Sequence, residues 1–301
     1  MTLIDYRDRT SVMIWVVLMG LAAQRFLTLP ERSFTTEVFG SPVTFTVTAN
    51  TVLGLLLAGL VITGTESVVR AHPRGQMTPA ARRRQPARTT VQGARWVVED
   101  SLERAVQPLR SHWIFWGLPI ALISVALLLL PLAPSGLYWV LGLVATAIAL
   151  GLSAAGIYYT VDPFQTGYRR ARLGMNALTY GVALVLFLVV YRTRVRSIVS
   201  ATEVLLISSM LALELLRGSE RPTVLVALYA GITGLILGQA TWALNYWRLD
   251  SLTGGLVLLV LFYDIVGLST HALQGRIRRR IVVEYALITL AAMALIWEFA
   301  P

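Results

Sequence analysis

Nine runs of mostly apolar residues, each close to the length of a membrane crossing, constrain this chain more than any other feature. A transmembrane helix needs about 20 such residues, because each adds roughly 1.5 Å across a hydrocarbon layer about 30 Å thick. The runs lie near 11–29, 51–69, 112–131, 137–159, 174–191, 200–216, 222–246, 254–272 and 281–299. The sixth is the shortest and carries Glu203 and Glu214, so eight spans is the competing count. Apolar residues make up 56% of the 301 and charged ones 14%, and the mean hydropathy is +0.67. Such a chain is an integral membrane protein. The expected fold class is an all-α transmembrane helical bundle forming a single membrane domain over 1–301. Residues 1–10 balance Arg7 and Arg9 against Asp5 and Asp8, and no small-x-small cleavage site follows, so the first span reads as a retained anchor.

A net charge of +10, carried by 26 arginines and no lysine, would ordinarily raise the question of nucleic acid. Placement answers it. With a cytoplasmic N-terminus, 20 of the 26 arginines fall on the cytoplasmic side. Only Arg32, Arg192, Arg194, Arg196 and Arg248 fall outside, and Arg25 lies in the first span. That asymmetry is the positive-inside pattern. It orients the chain N-inside and C-outside in a bacterial plasma (inner) membrane, and the charge records orientation more than partner choice. The run Arg192–Arg196 is the exception, and it would move inside if one helix were re-entrant.

Missing residue types exclude several chemistries. Without lysine there is no Schiff base, and without cysteine no disulfide, thiolate nucleophile or Fe–S cluster. His72, His112 and His271 lack ligand spacing, so no haem, zinc or other cofactor is expected. The chain has no G-x-x-x-x-G-K, dinucleotide fingerprint, H-E-x-x-H or G-x-S-x-G, which leaves nucleotide hydrolysis and the common hydrolase chemistries unsupported.

Two segments lie between spans. Residues 33–48, SFTTEVFGSPVTFTVT, alternate β-branched or aromatic residues with Thr around a Gly40-Ser41-Pro42 turn, which predicts a small outer β-hairpin or an extended loop. Asn50 is placed to cap the second span. Residues 70–110 form an Arg-rich cytoplasmic loop. Its first half, with Arg82, Arg83, Arg84 and Arg88, combines Pro, Gly and Ala with arginine and suits anionic headgroups. Its second half repeats apolar residues at helical spacing, predicting an amphipathic helix over 91–109.

Ionisable and amide side chains inside spans are costly there, so each is a candidate for a site. Toward the outside lie Gln24, Arg25, Glu203, Gln239 and Asn245. Glu66, Asn176, Glu214 and Glu284 lie toward the inside, and Asp264 is nearest mid-membrane with His271 on the same span. Arg25 and Glu203 match in depth and oppose in sign, which suggests an ion pair. Glu66, Glu214 and Glu284 each lie within about a turn of arginines and can pair locally. Thr241 and Asn245 form a polar stripe beside Trp242 and Tyr246, suited either to a ring or polyisoprenoid ligand or to packing and an outer aromatic belt. Gly231, Gly234 and Gly238 predict a close helix contact.

Three stretches carry a resemblance: GTESVVRAHP over 64–73, YRTRVRS over 191–197 with ALELLR over 212–217, and ATWALNYW over 240–247. Through them the chain resembles an uncharacterised bacterial family of polytopic membrane proteins, a domain-of-unknown-function group, from about 50 to 290. That resemblance implies a fold and no activity. The helix count also looks like that of membrane prenyltransferases, but their D-x-x-x-D motifs are absent, so that chemistry does not carry over. The role expected is a non-catalytic structural, accessory or lipid-binding one, with membrane lipids and other membrane subunits as partners. The alternatives are a secondary transporter using Asp264 and a membrane enzyme acting on lipid or isoprenoid substrates.

Overall fold

The computed structural model of the chain describes residues 3–26, 32–38, 41–47, 49–72, 112–162, 165–193, 197–219, 221–246 and 250–298. Among the described residues nine α-helices occupy the nine apolar runs. They are α1 Leu3–Ala23, α2 Ala49–Ala71, α3 Gly117–Leu129, α4 Gly136–Thr160, α5 Tyr168–Thr193, α6 Ser197–Leu216, α7 Thr223–Leu244, α8 Ser251–Leu273 and α9 Arg279–Glu298. Six stretches are long and apolar enough to cross a membrane among the described residues: 51–71, 113–132, 136–160, 168–192, 223–244 and 252–273.

The local sequence sets the helix ends. Pro119 is tolerated in the first turn of α3, where backbone N–H groups lack intrahelical acceptors, and Pro131 and Pro134 separate α3 from α4. At the end of α8, Gly275 adopts φ +66°. Its N–H reaches the carbonyl of Ala272 and the N–H of Arg276 reaches His271, a Schellman closure that a side chain at position 275 would strain.

Strands β1 (Arg32–Val38) and β2 (Ser41–Val47) pair antiparallel. Val38 stands opposite Ser41 and Glu37 opposite Pro42, so Ser41 and Pro42 belong to the second strand and not to the turn. Helix α2 starts at Ala49, which places Asn50 inside its first turn instead of at the expected cap position. The Arg-rich loop, with Arg82, Arg83, Arg84, Arg88 and the expected 91–109 helix, lies outside the described residues.

Side-chain contacts sort the helix ends into two sets. One set joins the C-terminal ends of α2, α4, α6 and α8 with the N-terminal ends of α3, α5 and α7, through His72 on Tyr158, Arg172 on Glu214, Arg217 on Thr160 and Phe115, and Arg221 on the Leu273 carbonyl. The other joins the C-terminal ends of α1, α3, α5 and α7 with the N-terminal ends of α4 and α6, through Gln24 on Leu127, Arg25 on Trp139, Tyr191 on Leu244 and Asn245 on Ser200. Consecutive helices therefore alternate in direction. Helix α9 runs back along α8, with Tyr285 beside His271 and Thr289 beside Asp264.

Helix α6 packs on α3, α5, α7 and α8. Its contact with α7 is close because Gly234 and Gly238 face it: a Cβ on Gly234 would strike Ser209 and the Leu205 carbonyl, and one on Gly238 would come within 3.0 Å of the Ala201 carbonyl. Gly231 meets nothing within 4 Å and takes no part in that contact. The outward faces carry large apolar side chains such as Trp15, Met19, Leu55, Leu137, Ile148 and Leu290. The interior includes Ser153, Thr179, Ser208, Glu214 and Thr233, fully buried. Apolar residues outside with small polar ones within is an arrangement suited to lipid.

Candidate functional site

The polar groups of the bundle gather at three levels. At the end shared by α4, α5 and α6, Glu214 is completely buried in the last turn of α6. Arg217, one turn on, grips it with Nε at 2.7 Å from Oε2 and Nη2 at 2.7 Å from Oε1, a bidentate fork. The same Nη2 donates to Thr160 Oγ1 at 2.9 Å, and the guanidinium lies 4.7 Å from the Phe115 ring centroid. Arg172, from the first turns of α5, stands 3.4 Å from Glu214 Oε1. It also donates to the carbonyls of Glu214 at 3.1 Å and Leu215 at 2.5 Å.

Two guanidinium groups face one carboxylate here. The excess positive charge sits against the last carbonyls of α6, where the helix dipole is negative and acceptors would otherwise be unmatched. Arg172 is thus a tertiary C-cap, and the cluster ties α5 and α4 to α6. Glu66 and Glu284 make simpler local pairs, with Arg70 and Arg280, each at 2.9 Å and one turn apart. All three of these glutamates therefore pair with neighbouring arginines as the spacing suggested.

At the opposite end Arg25 lies over Trp139, 5.3 Å from the ring centroid, and makes no ion pair with Glu203. The cation takes the indole face of α4 as its partner instead of the carboxylate on α6. Asn245 forms the C-cap of α7 and donates to Ser200 Oγ at 3.2 Å. Buried Tyr191 donates to the Leu244 carbonyl at 2.7 Å. Gln239 is exposed, and Trp242 and Tyr246 stack edge to face with centroids 5.4 Å apart on an exposed surface. Asn245 and Tyr191 thus join neighbouring helices, while Trp242 and Tyr246 contact each other on the outer surface.

Between the two ends stands Asp264, 7% exposed, on α8. Its Oδ2 meets Thr289 Oγ1 of α9, and its Oδ1 is buried without a hydrogen-bond partner. Around it runs a chain of rings: Tyr180 to Tyr263 at 6.0 Å, Tyr263 to Tyr285 at 5.9 Å, and Tyr285 to His271 at 6.0 Å. His271 Nδ1 is also buried without a partner. The Tyr285 ring lies across Gly267, where any Cβ would overlap it.

The structure does not gather the sequence candidates into one site. Glu66 and Glu214 sit in separate ion pairs, Arg25, Glu203, Gln239 and Asn245 lie toward the other end, and Asp264 stands alone. No three His, Asp or Glu side chains converge among the described residues. A crevice lined by Met13, Thr65, Pro119, Leu150, Ser153 and Ile157 has no room for a water molecule. Sequence reading overlooked Arg172, Thr160, Thr289 and Tyr285. Only Glu214-x-x-Arg217 and Tyr285-x-x-x-Thr289 carried a local signal, at helical spacing.

A search among curated proteins and a search among solved structures each found no match. The family model for a protein of unknown function, DUF5656, matches residues 29–298, and the chain belongs to that family.

Proposed function

We propose that this protein is a nine-span component of the bacterial plasma membrane, N-terminus cytoplasmic, that binds lipids and partner subunits and does not turn over a substrate. The observation that carries the reading is how the inner polar groups are used. Glu66, Glu214 and Glu284 are each held by arginine, which leaves them poorly placed for chemistry on a lipid or isoprenoid substrate. Lipid binding draws support from the exposed Arg169, Arg170, Arg276, Arg278, Arg279 and Arg280 at that same end. Each would add about 1 kcal/mol of attraction to an anionic surface, and Arg82, Arg83, Arg84 and Arg88 would add to it.

The test is gentle purification in a mild detergent followed by native mass spectrometry. Anionic phospholipid should be retained by the full chain and lost when Arg276, Arg278, Arg279 and Arg280 are replaced by Gln. Retention indifferent to headgroup charge, or no retained lipid, would reject the lipid reading. A second reading, secondary transport, is favoured by Asp264 alone, a carboxyl near the middle of α8 with one oxygen unsatisfied. Substrate-dependent flux in proteoliposomes that Asp264→Asn abolishes would establish it.

A further inference from the structure

We infer that Asp264 is a reversible proton-binding site, filled in this arrangement, that exchanges its proton toward the C-terminal end of α8 by way of Tyr285 and His271. Nothing in the lipid reading is needed for this, only that α8 crosses the membrane.

The first support is hydrogen-bond accounting. Thr289 has one hydroxyl proton and two neighbours that would accept it, Asp264 Oδ2 and the Tyr285 carbonyl at 2.8 Å. An ionised Asp264 would hold a full charge in a buried place on one hydroxyl donor, with Oδ1 unmatched and the Tyr285 carbonyl already satisfied by the helix. Protonation removes that charge: Oδ2–H donates to Thr289 Oγ1, and Thr289 donates to Tyr285. No arginine or histidine pairs with Asp264 among the described residues. Tyr180 of α5, Tyr263 and His271 of α8 and Tyr285 of α9 are the titratable side chains in the ring chain beside it. Glu284, next to Tyr285, is turned to Arg280.

The second support is the line from Asp264 to His271. The two are seven residues apart, nearly on one face of α8 and about 10 Å apart along its axis. Gly267 lies between them on that face, and the bare backbone there admits the Tyr285 ring. The Tyr285 ring thus lies over the helix face between a carboxyl and an imidazole, hydrogen-bonded to neither, and each of the two has a buried atom without a partner. In the exchange one O–H bond breaks at Asp264 and one N–H bond forms at His271 Nδ1. Tyr285 gives up one proton and takes one up, ending as it began. His271 releases a proton from its other ring nitrogen toward the α8 end.

Infrared spectroscopy of the purified full chain in lipid nanodiscs tests this. The wild type should show a protonated-carboxyl C=O band near neutral pH that Asp264→Asn removes and Thr289→Val shifts in frequency. In D2O the band should move as the proton exchanges. Tyr285→Phe and His271→Gln should slow that exchange by roughly a hundredfold or more, the usual worth of a positioned proton-transfer group. Gly267→Ala, which displaces the Tyr285 ring, should slow it too. Asn keeps the size of Asp, and Thr289→Val leaves the carboxyl in place, so the band can be assigned even if one variant folds poorly. Spectra identical in wild type and Asp264→Asn would overturn the site. Exchange unchanged in both Tyr285→Phe and His271→Gln would overturn the route, and loss of the band on adding sodium at fixed pH would make a metal cation the ligand. None of these outcomes alters lipid retention in mass spectrometry, so the two readings fail separately.

Discussion

Replacing Glu214 by Gln removes the single negative charge that two buried arginines share. The carboxylate takes a bidentate grip from Arg217, 5% exposed, and a 3.4 Å contact from Arg172, 14% exposed. At an effective permittivity near 20, each unit pair at about 4 Å is worth about 4 kcal/mol before desolvation. Part of that gross attraction is offset because the lone carboxylate no longer needs burying. What remains is two stranded guanidinium groups, and breaking such a set from one side costs about 3–5 kcal/mol. The assay is reversible unfolding in mixed micelles by SDS titration, followed by the fluorescence of the eight tryptophans. The control is Glu284→Gln, whose pair is 55% and 89% exposed and should change stability by no more than about 1 kcal/mol. Replacing the whole set, Glu214→Leu with Arg172→Met and Arg217→Met, should recover most of the loss, since no charge is then left unpaired. If Glu214→Gln costs as little as Glu284→Gln, the clamp between α5 and α6 has been misjudged.

Other expected outcomes follow from the same contacts. Gly234→Ala should lower stability by about 1–3 kcal/mol in the same titration, because a Cβ there strikes Leu205 and Ser209. Gly231→Ala, four-fifths of a turn away in open space, should be neutral or gain up to about 1 kcal/mol from helix propensity; equal losses at both positions would refute the assignment of the α6–α7 contact. Tyr191→Phe should cost about 1 kcal/mol by leaving the Leu244 carbonyl without its donor. A double-mutant cycle between Arg25→Ala and Glu203→Ala should show no coupling, whereas Arg25→Ala with Trp139→Leu should show about 0.5–1 kcal/mol.

The helices were legible because hydropathy over about 20 residues is a local property that lipid enforces without help from tertiary contacts. The same holds for the glutamate–arginine pairs, whose partners sit one turn apart on one helix. What escaped depended on pairs far apart in the chain: Arg172 reaches Glu214 across 42 residues, and Thr289 reaches Asp264 across 25. Matching depth and sign suggested Arg25 with Glu203, but depth leaves rotation about the helix axis free, and Arg25 faces Trp139 instead. Gly231 failed as an interface residue for a related reason. A spacing of three or four defines a stripe, and the stripe's edge turns away from the partner helix. Asp264 stood out from sequence by its depth alone; its hydroxyl partner comes from α9, and the ring chain beside it is assembled from α5, α8 and α9.

The central claim is nine alternating spans with a cytoplasmic N-terminus, and the chain's lack of cysteine makes it directly testable. Single cysteines placed at the exposed positions Thr166, Gln274, Ser135, Asp250 and Glu298 can be probed in intact cells with a membrane-impermeant maleimide. Ser135→Cys, Asp250→Cys and Glu298→Cys should label from outside, while Thr166→Cys and Gln274→Cys should label only after lysis. Labelling of Ser135→Cys and Asp250→Cys from opposite sides, or of Glu298→Cys only after lysis, would contradict it.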